Sequence, residues 1–409
     1  MLGVMHHHEG PLARLRRGHR TLVLDLLRRH GPLSRAELGT HAALSRTTLY
    51  DIVGGLVADG SVVAAAPAPG ARRRGRPVET LSLNPAAGHA IGIDFARRAV
   101  HVAAVNVAHE VIGSASEPHP AGLPVAERIA VARRLVETFG AGRIGLGSLS
   151  AVGVGVVGPV GLPGEGDEGG GPAGSAVAAG DGEPLRDLLG RAFEAPVLVD
   201  NNTRLAALAE SVWGAATGSP DVLYLRLSHG VGGGLVTGGA LHRGAYGLSG
   251  EFGHITVDPQ GAPCECGGRG CLETVASVGA VLAAHRAAGG HAEDVHALVA
   301  AAGAGDAAAV GVLAATGRQV GTVLAAVCNA IGPGTVVVGG ELAEAEELLL
   351  GPIAETLSAR VLPLARSRLD IRRAALGEYG GALGAIALVL HASPLLSRYP
   401  TDPHAEESP

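Results

Sequence analysis

Cys264, Cys266 and Cys271 fall within eight positions, and His254 stands ten residues before the first of them. Three thiols and one imidazole are four soft or borderline ligands, the set that closes a structural zinc site. Glycines at 267, 268 and 270 separate them and let the backbone fold around a small ion. A cluster of free thiols is the plain alternative. Cys-x-Cys-x4-Cys with an upstream His is, however, a metal-ligand spacing, and free core thiols rarely cluster. Four protein ligands leave no open position for water activation, so a metal held here is expected to be structural. Glu251 and Glu273 flank the ligands without being needed by them. Either alone reads equally well as a solvated surface group. Bracketing the loop, the two suggest a bound molecule rich in hydroxyls.

The elements that position these residues belong to a chain of 409 residues, long enough for two or three domains. Apolar residues make up 47% and charged residues 17%, so a large core can be buried. Aromatics are only 2%, so that core is built from Ala, Val and Leu. Lysine is absent and glycine reaches 64, most simply a coding bias. Four cysteines, three of them in the ligand cluster, argue for a reducing cytoplasm and against a disulfide scaffold. No secretory signal is visible, and the longest apolar runs are broken by Gly or charge before they could span a bilayer. The His6-His7-His8 run reads as part of a disordered leader, with a weak metal binder as the alternative. The net charge of −6 hides an asymmetry: residues 1–81 carry twelve Arg against six Asp or Glu, so the remainder is −12. A basic arm on an acidic body is the footprint of a nucleic-acid module fused to something else.

Within that arm, Thr21 to Arg29 reads as a helix with Leu22, Val23, Leu26 and Leu27 on one face, ended by Gly31-Pro32. Ser34-Arg-Ala-Glu37 is a capping box opening a short second helix that stops near Thr40. Ser45 caps a third helix, Arg46 to Ala58, with Leu49, Ile52, Val53, Leu56 and Val57 inward. Ser61 to Ala66 reads as a strand, Pro67 to Pro77 as a turn bearing Arg72, Arg73, Arg74 and Arg76, and Val78 to Leu83 as the return strand. That order is a winged helix-turn-helix. The third helix would enter the major groove of an operator, led by Ser45, Arg46, Thr47, Thr48 and Tyr50, with Ser34 also counted toward the DNA. The wing arginines suit the minor groove or the phosphates. A small helical interaction domain with a basic loop is the competing reading.

Beyond it, Ile91 to Asp94, Val100 to Val107, Val152 to Val157, Val197 to Val199, Val222 to Leu227 and Val336 to Val338 read as strands. Helices are expected over Arg204 to Trp213, through 275 to 330, and over Gly377 to Leu390; residues 161 to 183 read as a Gly-rich loop. Alternating strands and helices imply α/β layers.

Glu251-x-Gly-His254 followed by Cys264-x-Cys266-Gly-x-x-Gly-Cys271-x-Glu273 resembles the signature of the ROK family, which contains sugar kinases and sugar-responsive repressors. The match is dense there and traceable from about residue 88 to 390. The resemblance implies a two-lobed ribonuclease H-like, actin-like (ATPase) domain with a cleft. It implies that His254, Cys264, Cys266 and Cys271 bind zinc, and that Glu251, His254 and Glu273 face a sugar. The Leu-Ser-Arg-Thr-Thr run and the Arg-Gly-Arg-Pro wing also resemble ROK repressors; the family's kinases usually lack this head. The expected organisation is a leader over 1–13, the winged helix over 14–85, the ROK domain over 88–398 and a disordered tail over 399–409.

The kinase machinery is degraded. The family's Asp-x-Gly-x-Thr phosphate loop reads Asp94-Phe95-Ala96-Arg97-Arg98 here. The second loop keeps Gly230, Gly232, Gly233 and Gly234 but has His229 at the usual Thr. Gly339-Gly340 resembles the adenosine-side turn. In Asp200-Asn201-Asn202, Asn202 takes the place of the catalytic Asp, and an amide cannot accept a proton at neutral pH. Rescue by Asp200 is not expected. Asn201 and Asn202, with Glu251, His254 and Glu273, still form a polar set suited to vicinal hydroxyls. The sequence therefore reads as a cytoplasmic ROK-type regulator, a repressor with structural zinc and without working ATP or magnesium sites. A homodimer, or a tetramer, would bind a double-stranded operator and answer to a sugar or sugar phosphate, with no membrane involved. The rivals are an active ATP-dependent sugar kinase with a regulatory DNA-binding head and a DNA binder with a vestigial cleft.

Overall fold

The computed structural model describes residues 11–58, 60–65, 79–84, 89–106, 111–139, 149–158, 160 and 185–392. The wing arginines Arg72, Arg73, Arg74 and Arg76 lie outside the described residues. So do residues 1–10 of the expected leader, the Gly-rich stretch 161–183 and the tail 399–409. The N-terminal elements are α1 (Pro11–His30), β1 (Leu33–Ser34), α2 (Arg35–Ala42), α3 (Arg46–Ala58), β2 (Val62–Ala65) and β3 (Thr80–Leu83). The helix expected from Thr21 starts at Pro11, so the last three residues of the expected leader are helical. Apolar periodicity marks only the buried part of a helix; Pro at the first turn and the Leu, Ala and Arg that follow extend it by propensity. The strand β1 was not foreseen. It is two residues long and exists only because Leu33 and Ser34 pair with Leu81 and Thr80 of β3.

The rest of the chain builds two five-stranded sheets of one design. β4 (His89–Phe95), β5 (Ala99–Asn106), β6 (Val111–Pro118), β7 (Leu149–Val156) and β8 (Val197–Asn201) lie in the order β6-β5-β4-β7-β8. β9 (Val222–Leu227), β10 (Val231–Thr237), β11 (Ala240–His242), β12 (Thr335–Gly339) and β13 (Asp370–Arg373) lie in the order β11-β10-β9-β12-β13. In each sheet the second strand runs antiparallel to both neighbours, and the last two run parallel to the first. This repeated order and polarity is the pair of lobes that the resemblance implies. The first lobe also carries α4 (Val125–Thr138) and α5 (Leu185–Phe193), which cover one face of its sheet. The second carries α7 (Glu273–Ala276), α8 (Val278–Ala287), α9 (Val295–Gly303), α10 (Ala307–Ile331), α11 (Glu347–Arg360) and α12 (Pro363–Arg366). By length and composition α10 could cross a membrane, yet half of its most apolar stretch is buried, and it forms the core of the second lobe with α11.

Between the sheets lie α6 (Asn202–Val212) and α13 (Gly380–Ala392). A Cβ at Gly92 would stand 1.9 Å from the Ala382 carbonyl, and one at Gly153 2.0 Å from that of Ala385. Only glycine lets α13 lie against the strands so closely. At its other side α13 shares one apolar cluster with the N-terminal elements: Val23, Leu27, Leu49 and Leu81 continue through Val105 into Ile386 and Leu390.

Candidate functional site

His254, Cys264, Cys266 and Cys271 converge as the spacing suggests. One ligand atom from each lies within 4.8 Å of all the others. The Cys264 Sγ is 3.6 Å from His254 Nδ1, and the Cys266 Sγ is 3.7 Å from that of Cys271. A tetrahedral site with metal–sulfur bonds of about 2.3 Å and metal–nitrogen bonds of about 2.0 Å has edges of about 3.5–3.8 Å. The four side chains therefore fit one ion. The Gly268 amide donates to Cys266 Sγ at 3.4 Å and draws that thiol below its ordinary pKa. On the far side of the imidazole, His254 Nε2 lies 3.9 Å from Glu251 Oε2. His254 thus joins the metal cluster to the polar cleft.

The start of β10 links the other polar residues. The Val231 amide donates to Glu273 Oε2 at 2.8 Å. A Cβ at Gly253 would meet the Val231 carbonyl at 2.0 Å, and one at Gly232 would meet Thr203 Oγ1 at 3.4 Å. Glu273, the Glu251–His254 turn and the first turn of α6 are therefore neighbours through two residues of β10. The sequence suggested a phosphate loop at Gly230 to Gly234. Instead the turn is confined to Ser228, His229 and Gly230, and Gly232, Gly233 and Gly234 are paired strand residues. Their reason is packing: a Cβ at Gly233 would lie 2.3 Å from the Phe252 ring, and one at Gly234 2.6 Å from Ala207 Cβ. Gly340, with φ +89, is likewise pressed against the Leu227 carbonyl.

Asp200 is paired with two arginines that the sequence reading missed. It is 2% exposed and accepts Arg204 Nε at 2.8 Å, Arg243 Nε at 2.6 Å and the Asn201 amide at 2.7 Å. Arg204, 1% exposed, also donates to the carbonyls of Gly247 and Val160. A carboxylate so paired holds loops together. The signal was present as an Asp and Arg four residues apart, but only the fold supplies Arg243. Glu210, also buried, accepts the amides of Ala215, Ala375 and Leu376 and ties α6 to the approach of α13.

Asn202 donates from Nδ2 to Asp94 Oδ1 at 3.0 Å, and Thr203 Oγ1 donates to its Oδ1 at 3.4 Å. The Asn202 amide is thus spent on the Asp94 carboxyl. Asp94 is fully buried, and its Oδ2 has no hydrogen-bond partner among the described residues. Burial pushes its pKa up, opposed by Arg226, His101 and the Asn202 bond. A carboxyl whose pKa is raised on folding favours the native state below its unfolded pKa, near 3.9, and costs stability as pH rises through the folded value. Asp94→Asn is therefore expected to raise the melting temperature at pH 7.5, with the gain vanishing near pH 4. A gain that is equal at both pH values would refute this. The replaced hydroxyl positions fare differently: Arg98 is exposed, whereas His229 pairs with Glu341 at 3.6 Å. Asn201 caps α6 through the amides of Thr203 and Arg204, and its Nδ2 donates to Gly158.

Residues 91–392 match the family described as ROK. The chain belongs to the ROK family. Over 216 residues this ROK chain is 39% identical to the Glucokinase of Halalkalibacterium halodurans, spanning 49% of itself and 66% of that protein. Over 396 residues it is 27% identical to the DNA-binding transcriptional repressor Mlc of Escherichia coli K12, spanning 93% of itself and 95% of Mlc. The crystal structure of a ROK family transcriptional regulator, a homolog of E. coli Mlc, shares the fold with a TM-score of 0.75 at 24% identity, covering 93% and 98% of the two chains.

In this ROK protein the match to Mlc includes the N-terminal elements, where α3 presents a polar face. Arg46 and Thr47 are exposed, and Tyr50 is 52% exposed. The Ser45 hydroxyl accepts the Thr48 amide at 3.2 Å and caps the helix. Arg35 lies 5.1 Å over the Tyr50 ring and bonds Glu79, fixing the tyrosine on the surface. Ser34 is a correction. It is buried, and its hydroxyl bonds the Glu37 carboxylate and amide in the capping box, so it is a helix cap rather than a DNA contact.

Proposed function

We propose that this protein is a sugar-responsive, DNA-binding transcriptional regulator, most simply a repressor, with a winged helix-turn-helix head and a cleft that binds without catalysing. The carrying observation is the Asn202–Asp94 hydrogen bond, which puts an amide where a kinase needs a base and engages it. The match along nearly the whole of Mlc supports the same reading. α3, led by Arg46, Thr47 and Tyr50, would lie in the major groove, with Ser45 and Thr48 at its start. A homodimer would present two such helices to an inverted repeat. Zinc is the ion we assign to His254 and the three cysteines, because three thiolates and an imidazole select it and close its coordination. Asn201, Asn202, Glu251, His254 and Glu273 would hold the sugar hydroxyls. A ligand shifts DNA binding only by its differential affinity for the two lobe arrangements.

Selection of genomic fragments by the purified protein should enrich a palindromic site. Arg46→Ala should weaken binding to it about tenfold or more, while the melting temperature is unchanged because Arg46 is exposed. Equal enrichment of all fragments would overturn the operator reading. The 39% identity to a Glucokinase favours the rival, a kinase with a regulatory head. ATP consumption across a hexose panel decides between them: none is expected from the wild-type chain, and sugar-dependent turnover would establish the kinase.

A further inference from the structure

Two helices start at the same carboxyl. α6 begins at Asn202, whose Nδ2 donates to Asp94 Oδ1 at 3.0 Å. α13 begins over the same residue, because a Cβ at Gly381 would stand 2.2 Å from Asp94 Oδ2. Three residues on, a Cβ at Gly384 would stand 1.8 Å from the Leu205 carbonyl. α6 and α13 therefore run side by side in the same direction, backbone against backbone. Their far ends leave the cleft. At about 1.5 Å per residue, the 11 residues of α6 carry the chain roughly 16 Å to Trp213. Trp213 packs on two clusters at once: the one α6 shares with the second sheet, and the one that holds the inner faces of α1 and α3. α13 ends in the latter, where Ile386, Val389 and Leu390 are fully buried together with Val23, Val53 and Leu56. Every buried apolar residue of the described head, from Val23 to Leu83, belongs to this cluster.

We propose that α6 and α13 are a coupling pair that carries the state of the cleft, set at the Asp94–Asn202 contact, to the third helix of the head. The physical reason is packing. A core at native density passes a displacement on instead of absorbing it. Glycine at the contact between the two helices leaves few interlocking side chains, the kind of surface on which packed helices slide by small shear steps. A shift of either helix at Asp94 displaces Leu390 or Trp213, and with them α3, because the described head has no separate core to hold it in place. Coupling of this kind is reciprocal, so a loosened head is felt at Asp94 as well. For the head's role this rests on the regulator reading, whereas the coupling itself is measured on the protein alone, without DNA or sugar.

The test is hydrogen–deuterium exchange of the full chain, with Asn202→Ala at the cleft end and Leu390→Ala at the head end. Asn202→Ala should speed exchange of the α1 and α3 amides about fivefold or more, with α10 and α11 unchanged. Leu390→Ala should speed exchange in α6 by a similar factor. Should either variant fail to fold, Asp94→Asn decides: relief of the buried carboxyl should slow exchange in α1 and α3 as well as in α6. A response to the cleft variants confined to β4, α6 and the start of α13 would overturn the proposal. So would an equal response in α10 and α11, which is a change of global stability, or a head variant silent at α6. Failure of the regulator reading would appear instead in the fragment selection, with these exchange rates unaffected.

Discussion

Replacing Arg204 with alanine is expected to destabilise the protein by about 3–5 kcal/mol, read as a shift in its urea denaturation midpoint. The side chain is 1% exposed and binds Asp200, which is itself 2% exposed, from inside the protein. Removing it leaves a buried carboxylate with Arg243 and the Asn201 amide, and strands the carbonyls of Gly247 and Val160. Breaking one side of a buried pair costs more than deleting both sides, because the survivor keeps its desolvation penalty. Asp200→Asn together with Arg204→Met should therefore recover much of the loss. A single variant that costs less than about 1 kcal/mol would mean the network is peripheral. So would a double variant worse than the single. The cleft should register the same change, since the network anchors the turn that leads to Glu251.

Cys266→Ser is expected to abolish stoichiometric metal binding and to cost on the order of 4 kcal/mol, because loss of a metal is one of the few single changes of that size. The loop between Ile255 and Leu272 is otherwise tied by backbone hydrogen bonds within itself, such as those from Val257 to Gly270 and from Leu272 to Ile255. It is held by isolated bridges, Thr256 with Cys271 and Pro263 with Arg269, and Cys266 itself is exposed. Chelation of the wild-type protein should reproduce the loss, and zinc should restore it. Because His254 also approaches Glu251, response to the effector should fall with metal content. Full metal content by elemental analysis in the Cys266→Ser protein would refute the four-ligand assignment.

The metal cluster was legible in the sequence because its ligands are nearly consecutive: three cysteines in eight residues need only a glycine-rich turn to meet. The caps at Ser34 and Ser45 and the third helix were legible for the same reason, since capping acts within one turn. The α/β class followed from the alternation of short Val- and Leu-rich runs with helical ones, which is set by local periodicity. Glycine misled at 230 to 234, because a run of glycines serves a tight turn and a crowded strand equally well. The Phe252 ring and Ala207 against that strand decided for the strand. The state of the site was beyond the sequence. Asn202 meets Asp94 across 108 residues, and Asp200 meets Arg243 across 43. By itself the sequence determined the ligand types, the capped helices and the amide at position 202, each fixed by residue identity or by neighbours within a turn. Only the tertiary structure decided which charges are paired or buried, because that depends on which distant strands the sheets bring into register.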